Sequence, residues 1–216
     1  MTDRGIEKVF WTDPYATTVD TRVASVDGGA IMVERTIFFA FSGGQESDSG
    51  TIGGHPVLDA RKDGRQIVYT LEPDHGLAPG DGVTIAIDWP RRYRLMRLHL
   101  AAELVLELVT QSLEPIEKIG AHIAEDKARI DFAWDGALSE FIPDIQGKAA
   151  AIVAADHPVI TAFSDQVNER RYWEIGGFAR VHCGGTHLRF TGEIGEIRLK
   201  RKNPGKGKER IEISLV

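Results

Sequence analysis

Residues 89–112 read WPRRYRLMRLHLAAELVLELVTQS, and this stretch decides how the rest of the chain is interpreted. Beyond Trp89-Pro90 it contains no glycine or proline and is dense in Leu, Met, Ala and Glu, residues that favour helices. The composition predicts a helix of about five turns from Arg92 to about Ser112, with Pro115 beyond its end. Because the sequence changes character here, a second domain is expected to begin at residue 89.

The segment before the helix, residues 1–88, has the pattern of short β-strands separated by turns. Two of its strand-like runs flank Asp27-Gly28-Gly29, a strong hairpin signal. The runs, rich in β-branched and aromatic residues, are 19–26, 30–41, 67–71 and 83–87. Many short strands without a helix predict a small β-barrel-like domain.

The segment from residue 89 onward mixes helical and strand-like patterns. The long helix is expected to pack against an antiparallel sheet, a second helix is expected over 144–156, and 164–173 fits either a short helix or an extended segment. Strands or strand edges are expected at 126–132, 135–141, 194–200 and 210–216, the last two joined by a basic turn over 202–208. The fold class is therefore α+β: a β-barrel-like domain over 1–88, followed by an α/β domain over 89–216.

The composition of the 216 residues is that of an ordinary globular protein, with 42% hydrophobic and 27% charged residues, which excludes a disordered chain. The single cysteine, Cys183, excludes an internal disulfide and suits a reducing compartment. The first residues lack a basic leader with an apolar stretch, and no apolar run approaches the roughly 20 residues that span a bilayer. We expect a cytoplasmic protein with no membrane partner, and a monomer is favoured.

The charge is distributed unevenly along the chain. Residues 180–210 contain nine basic and three acidic side chains, a net +6, whereas the whole chain carries −6. A second basic cluster contains Arg91, Arg92, Arg94 and Arg97. Charge alone is equally consistent with a solvated basic tail, but two separate clusters favour a nucleic-acid backbone as partner.

Two pairs of side chains have the chemistry of metal ligands. His99 and Glu103 are four apart on the predicted helix and share one face. Cys183 and His187 bracket two glycines, which allow a loop tight enough to turn both side chains inward. Imidazole, thiolate and carboxylate are zinc ligands. Taken singly, the helix pair more often forms a solvated face or a local hydrogen bond, and a buried cysteine more often acts as a small hydrophobe. His182, in a strand, would point away from Cys183.

Six strings of the sequence occur in a fixed order and span nearly the whole chain. They are DPY from Asp13, RTIFFAFSGGQESDSG from Arg35, HGLAPGD from His75, IDWPRR from Ile87, MRLH from Met96 and CGGTH from Cys183. Together they resemble the alanyl-tRNA editing proteins, a family that includes AlaX-type deacylases, the editing domain of alanyl-tRNA synthetase and a related domain of threonyl-tRNA synthetase. The ordered set is far more specific than any one motif.

The resemblance implies an ATP-independent, trans-acting hydrolase that clears serine or glycine from mischarged tRNA(Ala), with residues 89–216 as the editing domain. It also implies a zinc ion between an H-x-x-x-H helix and a C-x-x-x-H loop. Cys183 and His187 match that pattern, as do Gly43, Gly44 and Gln45 in the glycine-rich loop. On the helix, however, the second histidine is replaced by Glu103, and the threonine after the first is replaced by Leu100.

Glu103 leaves three possibilities for the site. With four ligands, His99, Glu103, Cys183 and His187, a Zn²⁺ site is formally neutral and acidifies a bound water less than a cationic site does. Alternatively, three ligands leave an open position and Glu103 is the general base. In the third, the metal is lost. We favour the four-ligand site, with the general base second.

The expected mechanism brings the 3′ end of tRNA between the two halves of the chain. The phosphate-binding candidates are Arg91, Arg92, Lys200, Arg201 and Lys202. The substrate-binding candidates are Gly43, Gly44, Gln45 and Thr186, with Gln45 also a candidate catalytic residue; the glycines alternatively form only a turn at a barrel corner. Because alanine is smaller than serine, selection requires a polar group for the serine hydroxyl. Two other functions fit the sequence: a metal-dependent hydrolase of another small ester or amide, and a non-catalytic tRNA-binding module.

Overall fold

The computed structural model describes residues 5–216, which form two compact units. The first contains the described residues up to Ser42 together with Glu46–Tyr93, and the second contains Gly43–Gln45 and Arg94–Val216. Two α-helices and mainly antiparallel sheets make up the described residues, a mixed composition that agrees with the predicted α+β class. Neither helix is long and apolar enough to cross a bilayer.

The first unit is built around one seven-stranded sheet. The nine strands of the described part of this unit, two of them outside that sheet, are β1 (Glu7–Lys8), β2 (Thr18–Asp27), β3 (Ala30–Val33), β4 (Arg35–Thr36), β5 (Gly50–Ile52), β6 (His55–Pro56), β7 (Asp59–Asp63), β8 (Gln66–Thr70) and β9 (Gly82–Ile87). The sheet order is β6-β5-β9-β2-β3-β8-β7, with antiparallel neighbours, while β1 pairs with β4 in parallel. The strand order therefore leaves β6 and β7 as open edges of the sheet. The sequence predicts a barrel-like domain, and within the described residues this sheet is not hydrogen-bonded into a closed barrel.

The predicted hairpin between β2 and β3 is confirmed. Asp27 pairs with Ala30, which leaves Gly28 and Gly29 as the turn, and Gly28 has a φ of +56° that favours glycine. The first half of β2 pairs with β9 and the second half with β3, so this long strand joins the two halves of the sheet. Buried side chains such as Ile31, Tyr69 and Ile85 form the core of the unit.

Helix α1 (Trp89–Ser112) confirms the predicted long helix and begins three residues before the expected start. Asp88 accepts a hydrogen bond from the Arg91 amide at 3.2 Å, which satisfies a free amide of the first turn, where Pro90 is tolerated. From Leu95 to Val109 most apolar side chains are buried. No residue between Leu95 and Val109 is exposed, so this part of the helix is enclosed rather than lying on a surface.

The second unit adds helix α2 and two antiparallel sheets. A four-stranded sheet has the order β10-β11-β16-β15, and a three-stranded sheet has the order β12-β13-β14. The elements are β10 (Glu117–Ile123), β11 (Ala128–Ala133), α2 (Ile142–Ala154), β12 (Ile160–Asp165), β13 (Arg170–Ile175), β14 (Ala179–His182), β15 (Ile197–Gly205) and β16 (Lys208–Leu215). Short 3₁₀ turns occur at Val9–Trp11, Leu138–Glu140 and Thr191–Ile194.

Several boundaries differ from the sequence predictions. Residues 135–141 were expected to be a strand but contain the 3₁₀ turn, because only Leu138 of this stretch is buried and no alternating face exists. Residues 164–173 are extended rather than helical and include the turn of the β12–β13 hairpin. The basic turn at 202–208 is shorter than expected, since β15 continues to Gly205. Strand β10 was not predicted; its exposed Ile119 lies at a bulge that breaks the alternation.

Candidate metal centre

Four side chains from two elements of the second unit converge on one point. Helix α1 supplies His99 and Glu103, and the loop that follows β14 supplies Cys183 and His187. One ligand atom from each of the four lies within 4.8 Å of the other three. The convergence of residues 84 positions apart in the sequence is the arrangement that the two sequence motifs predict.

The individual distances describe a compact group. His99 Nε2 is 3.2 Å from Cys183 Sγ and 3.3 Å from Glu103 Oε2, and His187 Nε2 is 2.9 Å from the same Glu103 oxygen. The two imidazole rings meet edge to face, with centroids 4.9 Å apart. The side chains of His99 and His187 are buried, and that of Glu103 is 15% exposed.

The group has mutually reinforcing charges. Burial by itself lowers the pKa of His99, but the charges of Glu103 and Cys183 outweigh it and raise that pKa well above its usual range. The same causes raise the pKa of His187. Burial by itself raises the pKa of Glu103, but the two imidazoles hold it well below its usual range. For Cys183, burial and Glu103 raise the pKa, and the imidazoles outweigh them and lower it.

The donor set and its dimensions fit a zinc ion. Bonds of about 2.0–2.3 Å in a tetrahedron place ligand atoms roughly 3.3–3.8 Å apart. Three of the observed separations are 2.9–3.3 Å, and all four ligand atoms lie within 4.8 Å of one another. Both nitrogens that face the centre are Nε2, while the Nδ1 atoms of His99 and His187 are buried without a hydrogen-bond partner.

The loop between the two ligands packs closely against helix α1. A Cβ added to Gly185 would lie 2.6 Å from the His99 imidazole and 3.0 Å from Gln45 Oε1, so only glycine fits. The Gly185 amide donates to Cys183 Sγ at 3.3 Å. Cys183 is also held by its own amide, which donates to the Arg171 carbonyl at 3.0 Å.

Gln45 and Thr186, both predicted to touch substrate, are brought together in the interior. Gln45 Nε2 donates to Thr186 Oγ1 at 3.0 Å, and Gln45 Oε1 accepts from the Thr186 amide at 3.4 Å. Both residues are fully buried. The side-chain amide of Gln45 therefore braces the loop between Cys183 and His187.

The two preceding glycines form a turn against strand β10. Gly43 and Gly44 have φ values of +62° and +90°, which favour glycine. A Cβ on Gly44 would lie 2.6 Å from the Ala121 carbonyl oxygen, and the Gly44 carbonyl accepts from the Ile123 amide at 2.8 Å. This turn places Gln45 within hydrogen-bonding distance of Thr186.

Arg92 does not belong with the phosphate-binding candidates. Its side chain is fully buried, forms an ion pair with Asp48 and donates to the carbonyls of Ile37 and Pro14. An arginine enclosed in this way cannot reach a phosphate, so the prediction for Arg92 is wrong. Asp48, the buried partner, was not singled out from the sequence, although it lies in the string that begins at Arg35. Arg91 is 21% exposed and pairs with Glu46 at 2.8 Å.

The three consecutive basic residues of β15 do not share a face. Lys200 and Lys202 are exposed, whereas Arg201 points to the other side of the strand, where it forms a two-pronged ion pair with the buried Glu209. Successive side chains of a strand alternate between faces. Arg201 is therefore committed to its own sheet, which corrects its prediction as a phosphate ligand.

The fold and the site define a class of protein. Residues 172–212, which include Cys183 and His187, match the family model described as the threonyl and alanyl tRNA synthetase second additional domain. The chain is 33% identical to an alanyl-tRNA editing protein, AlaX-M, of Pyrococcus horikoshii, over 96% of this chain and 97% of that one.

Two further relatives are similar over most of this chain. An AlaX-M protein of Methanosarcina mazei is 30% identical over 97% of this chain and 96% of its own. An alanine–tRNA ligase of Ignicoccus hospitalis is 32% identical over 89% of this chain but only 24% of its own length. This chain belongs to the family of alanyl-tRNA editing proteins, as the ordered motifs predict.

Proposed function

We propose that this protein is a trans-acting aminoacyl-tRNA deacylase that hydrolyses the ester of mischarged tRNA(Ala) and releases serine or glycine. The observation that carries the proposal is the convergence of His99, Glu103, Cys183 and His187 in a chain that aligns over nearly its full length with alanyl-tRNA editing proteins. Hydrolysis of an ester requires only water, so the reaction needs no ATP, and it would take place in the cytoplasm with a monomer sufficient.

We propose Zn²⁺ as the cofactor, held by those same four side chains. A bound zinc ion would supply a Lewis acid for the ester carbonyl and would acidify water. The group provides two neutral imidazoles, once their protons leave, and two anions whose pKa values are already lowered. Near-stoichiometric zinc in the purified protein would support this cofactor, and its absence would favour the third possibility, a lost metal.

Glu103 has two possible roles in this site. As a fourth ligand it neutralises the ion and leaves little acidifying power. As a general base it would take a proton from the attacking water through Oε2, the oxygen that already faces His187 at 2.9 Å. The same oxygen lies 3.3 Å from His99 Nε2 and 2.9 Å from His187 Nε2, which favours its role as a ligand beside the two imidazoles.

Substrate selection is proposed for the Gln45–Thr186 pair and the glycine turn beside it. A Cβ added to Gly185 would lie within 3.0 Å of both Gln45 Oε1 and the His99 imidazole. The Gln45–Thr186 pair is therefore next to the candidate metal centre. Thr186 Oγ1 accepts from Gln45 Nε2, so its own hydroxyl hydrogen can donate to the serine hydroxyl, a hydrogen bond that alanine cannot form. Gly43 and Gly44 present backbone amides in the same turn.

The partner is proposed to be tRNA, with Arg91, Lys200 and Lys202 as the remaining phosphate-binding candidates. All three side chains are at least partly exposed. Phosphate contacts of this kind position the nucleic acid without reading its sequence.

The experiment measures release of the amino acid from Ser-, Gly- and Ala-tRNA(Ala). Serine or glycine is expected to be released much faster than alanine, and the rate should fall to background in Cys183→Ala. Equal slow release from all three, or the same release in the variant, would contradict editing at this site.

A second candidate function is hydrolysis of another small ester or amide, and the replacement of the helix histidine by Glu103 favours it, because a neutral site differs chemically from a cationic one. Turnover of small aminoacyl esters without any release from charged tRNA would establish it. A non-catalytic tRNA-binding module would bind tRNA and hydrolyse neither.

A further inference from the structure

The four-stranded sheet of the second unit has one strongly basic face. Along β15, Ile197 and Leu199 are buried, while the residues between and after them alternate to the exposed side. We define the basic face by the residues that the strand pairing places on this side. They are Arg198, Lys200 and Lys202 on β15, Lys208, Arg210 and Glu212 on β16, Arg129 and Asp131 on β11, and His122 on β10.

The strand pairing arranges these side chains in rows across the sheet. Lys200 pairs with Glu212, which pairs with Arg129, which in turn pairs with His122 on the edge strand. A second row begins at Lys202 and continues through Arg210 to Asp131. Residues directly opposite each other in a sheet lie on the same face, so the rows form one continuous surface.

The acidic residues of this face are already neutralised. Asp131 accepts from Arg129 at 2.5 Å and from Arg210 Nε at 2.5 Å, and Glu212 Oε1 is 3.3 Å from Lys127 Nζ. Among residues 5–216, Arg198, Lys200, Lys202 and Lys208 have no carboxylate oxygen within 4.0 Å. The basic face therefore carries a surplus of positive charge that its own acids do not cancel.

The spacing and chemistry of the surplus charges suit a polyanion with regularly repeated phosphates. Alternate residues of a strand are roughly 6.6 Å apart, so Arg198, Lys200 and Lys202 form a row of roughly 13 Å. The positions that define this face include no Phe, Tyr or Trp. Binding of single strands relies on stacking of bases on aromatic rings, whereas double-helical RNA is recognised through its backbone.

We propose that the basic face binds the sugar-phosphate backbone of double-helical RNA, and that in the cell this RNA is a stem of the tRNA substrate. The assignment to tRNA rests on the proposed function, but the preference for a duplex backbone rests on the face alone. Arg129 and Arg210 contribute through their outer N–H groups while they hold Asp131, and Arg198, Lys200 and Lys202 make the principal phosphate contacts.

The test is equilibrium binding of an uncharged RNA hairpin with the sequence of a tRNA acceptor stem, measured over a series of salt concentrations. The unmodified protein is compared with the triple variant Arg198→Gln/Lys200→Gln/Lys202→Gln. Removal of three phosphate contacts should make the slope of log K against log salt shallower by about 2 to 3 and raise Kd at least about tenfold near 0.1 M salt.

Two further triple variants separate local contacts from overall charge. Arg61→Gln/Lys62→Gln/Arg65→Gln changes exposed side chains of the first unit, removes the same charge and should leave the slope as in the unmodified protein. Arg198→Lys/Lys200→Arg/Lys202→Arg preserves the charge of the basic face and should also keep the slope. An equal loss in the first-unit variant, or an unchanged slope in the Gln variant of β15, would overturn the proposal.

A single-stranded RNA of the same length tests the preference for a duplex. It should bind more weakly than the hairpin, and equal or tighter binding would overturn the duplex assignment. Because uncharged RNA is used, these measurements do not depend on hydrolysis. If the salt slope becomes shallower as expected while no charged tRNA is deacylated, the proposed function is wrong and RNA binding by the basic face is supported. The reverse result would support deacylation and contradict RNA binding by the basic face.

Discussion

Gln45 and Thr186 lie 141 positions apart in the sequence, yet Gln45 Nε2 donates to Thr186 Oγ1 at 3.0 Å and both side chains are fully buried. The hydrogen bond ties the glycine turn to the loop that carries Cys183 and His187. Since that loop meets His99 through Gly185, the position of the ligands depends on a contact that no local sequence pattern specifies.

We expect Thr186→Val to destabilise the protein more than Thr186→Ser does. Valine has nearly the same volume as threonine but leaves the buried amide of Gln45 without its acceptor, which costs about 1–3 kcal/mol. Serine keeps the hydroxyl and loses one methyl group, about 1 kcal/mol. Urea unfolding of the chelator-treated proteins measures the difference, and a valine variant as stable as the serine variant would contradict the role assigned to this bond.

Cys183→Ala and His187→Ala are each expected to abolish zinc binding. Purified protein should contain about one zinc ion per chain, and removal of one ligand from a four-ligand site should leave little or no zinc after dialysis. His182→Ala is the matched control, because His182 is adjacent to Cys183 but exposed. Elemental analysis after dialysis decides the matter; full zinc content in both ligand variants would place the site elsewhere.

Glu103→His is expected to keep or raise the zinc content. The change replaces an anionic ligand by a neutral imidazole that fits the same donor set, and the formal charge of the zinc site rises by one. Competition with a chromogenic chelator gives the affinity, with Glu103→Gln as the variant that should lose it. A collapse of zinc content in Glu103→His would show that Glu103 has a role that histidine cannot fill.

Arg92→Met should destabilise the protein by about 3–5 kcal/mol, because it leaves the buried Asp48 carboxylate without its partner. Arg94→Met is the control: Arg94 is 60% exposed, 3.5 Å from Glu125, and its loss should change stability by less than about 1 kcal/mol. Denaturant unfolding separates the two. Equal stability would contradict the buried ion pair.

These contrasts show which features the sequence could predict. Helix α1 can be predicted because its 24 residues contain no glycine and have a strong helix propensity. The CGGTH string indicates Cys183 and His187 because the ligands and the glycines between them are adjacent in the chain. Membership of the editing family followed from the order of six motifs, each of which is short and local.

What the sequence did not reveal depends on burial and strand register. An arginine is expected at the surface, so the sequence places Arg92 in the basic cluster, whereas its pairing with Asp48 buries it. Arg201 was grouped with Lys200 and Lys202, and only the pairing of β15 with β16 shows that it faces Glu209 instead. Neither fact follows from composition or spacing.

Zinc loading near pH 7 should release protons, about one to two per ion. Nearby negative charges raise the pKa values of His99 and His187, so in the metal-free protein the imidazoles carry protons that zinc must displace. Zinc affinity should therefore increase as the pH rises above the ordinary histidine value of about 6.5. The stability that these protonated imidazoles give the metal-free protein is complete below that value and is lost as the pH rises through the higher folded-state pKa. Titration calorimetry in two buffers of different ionisation enthalpy counts the protons. A zinc titration of the unmodified protein that releases no protons would show that the imidazoles are already neutral.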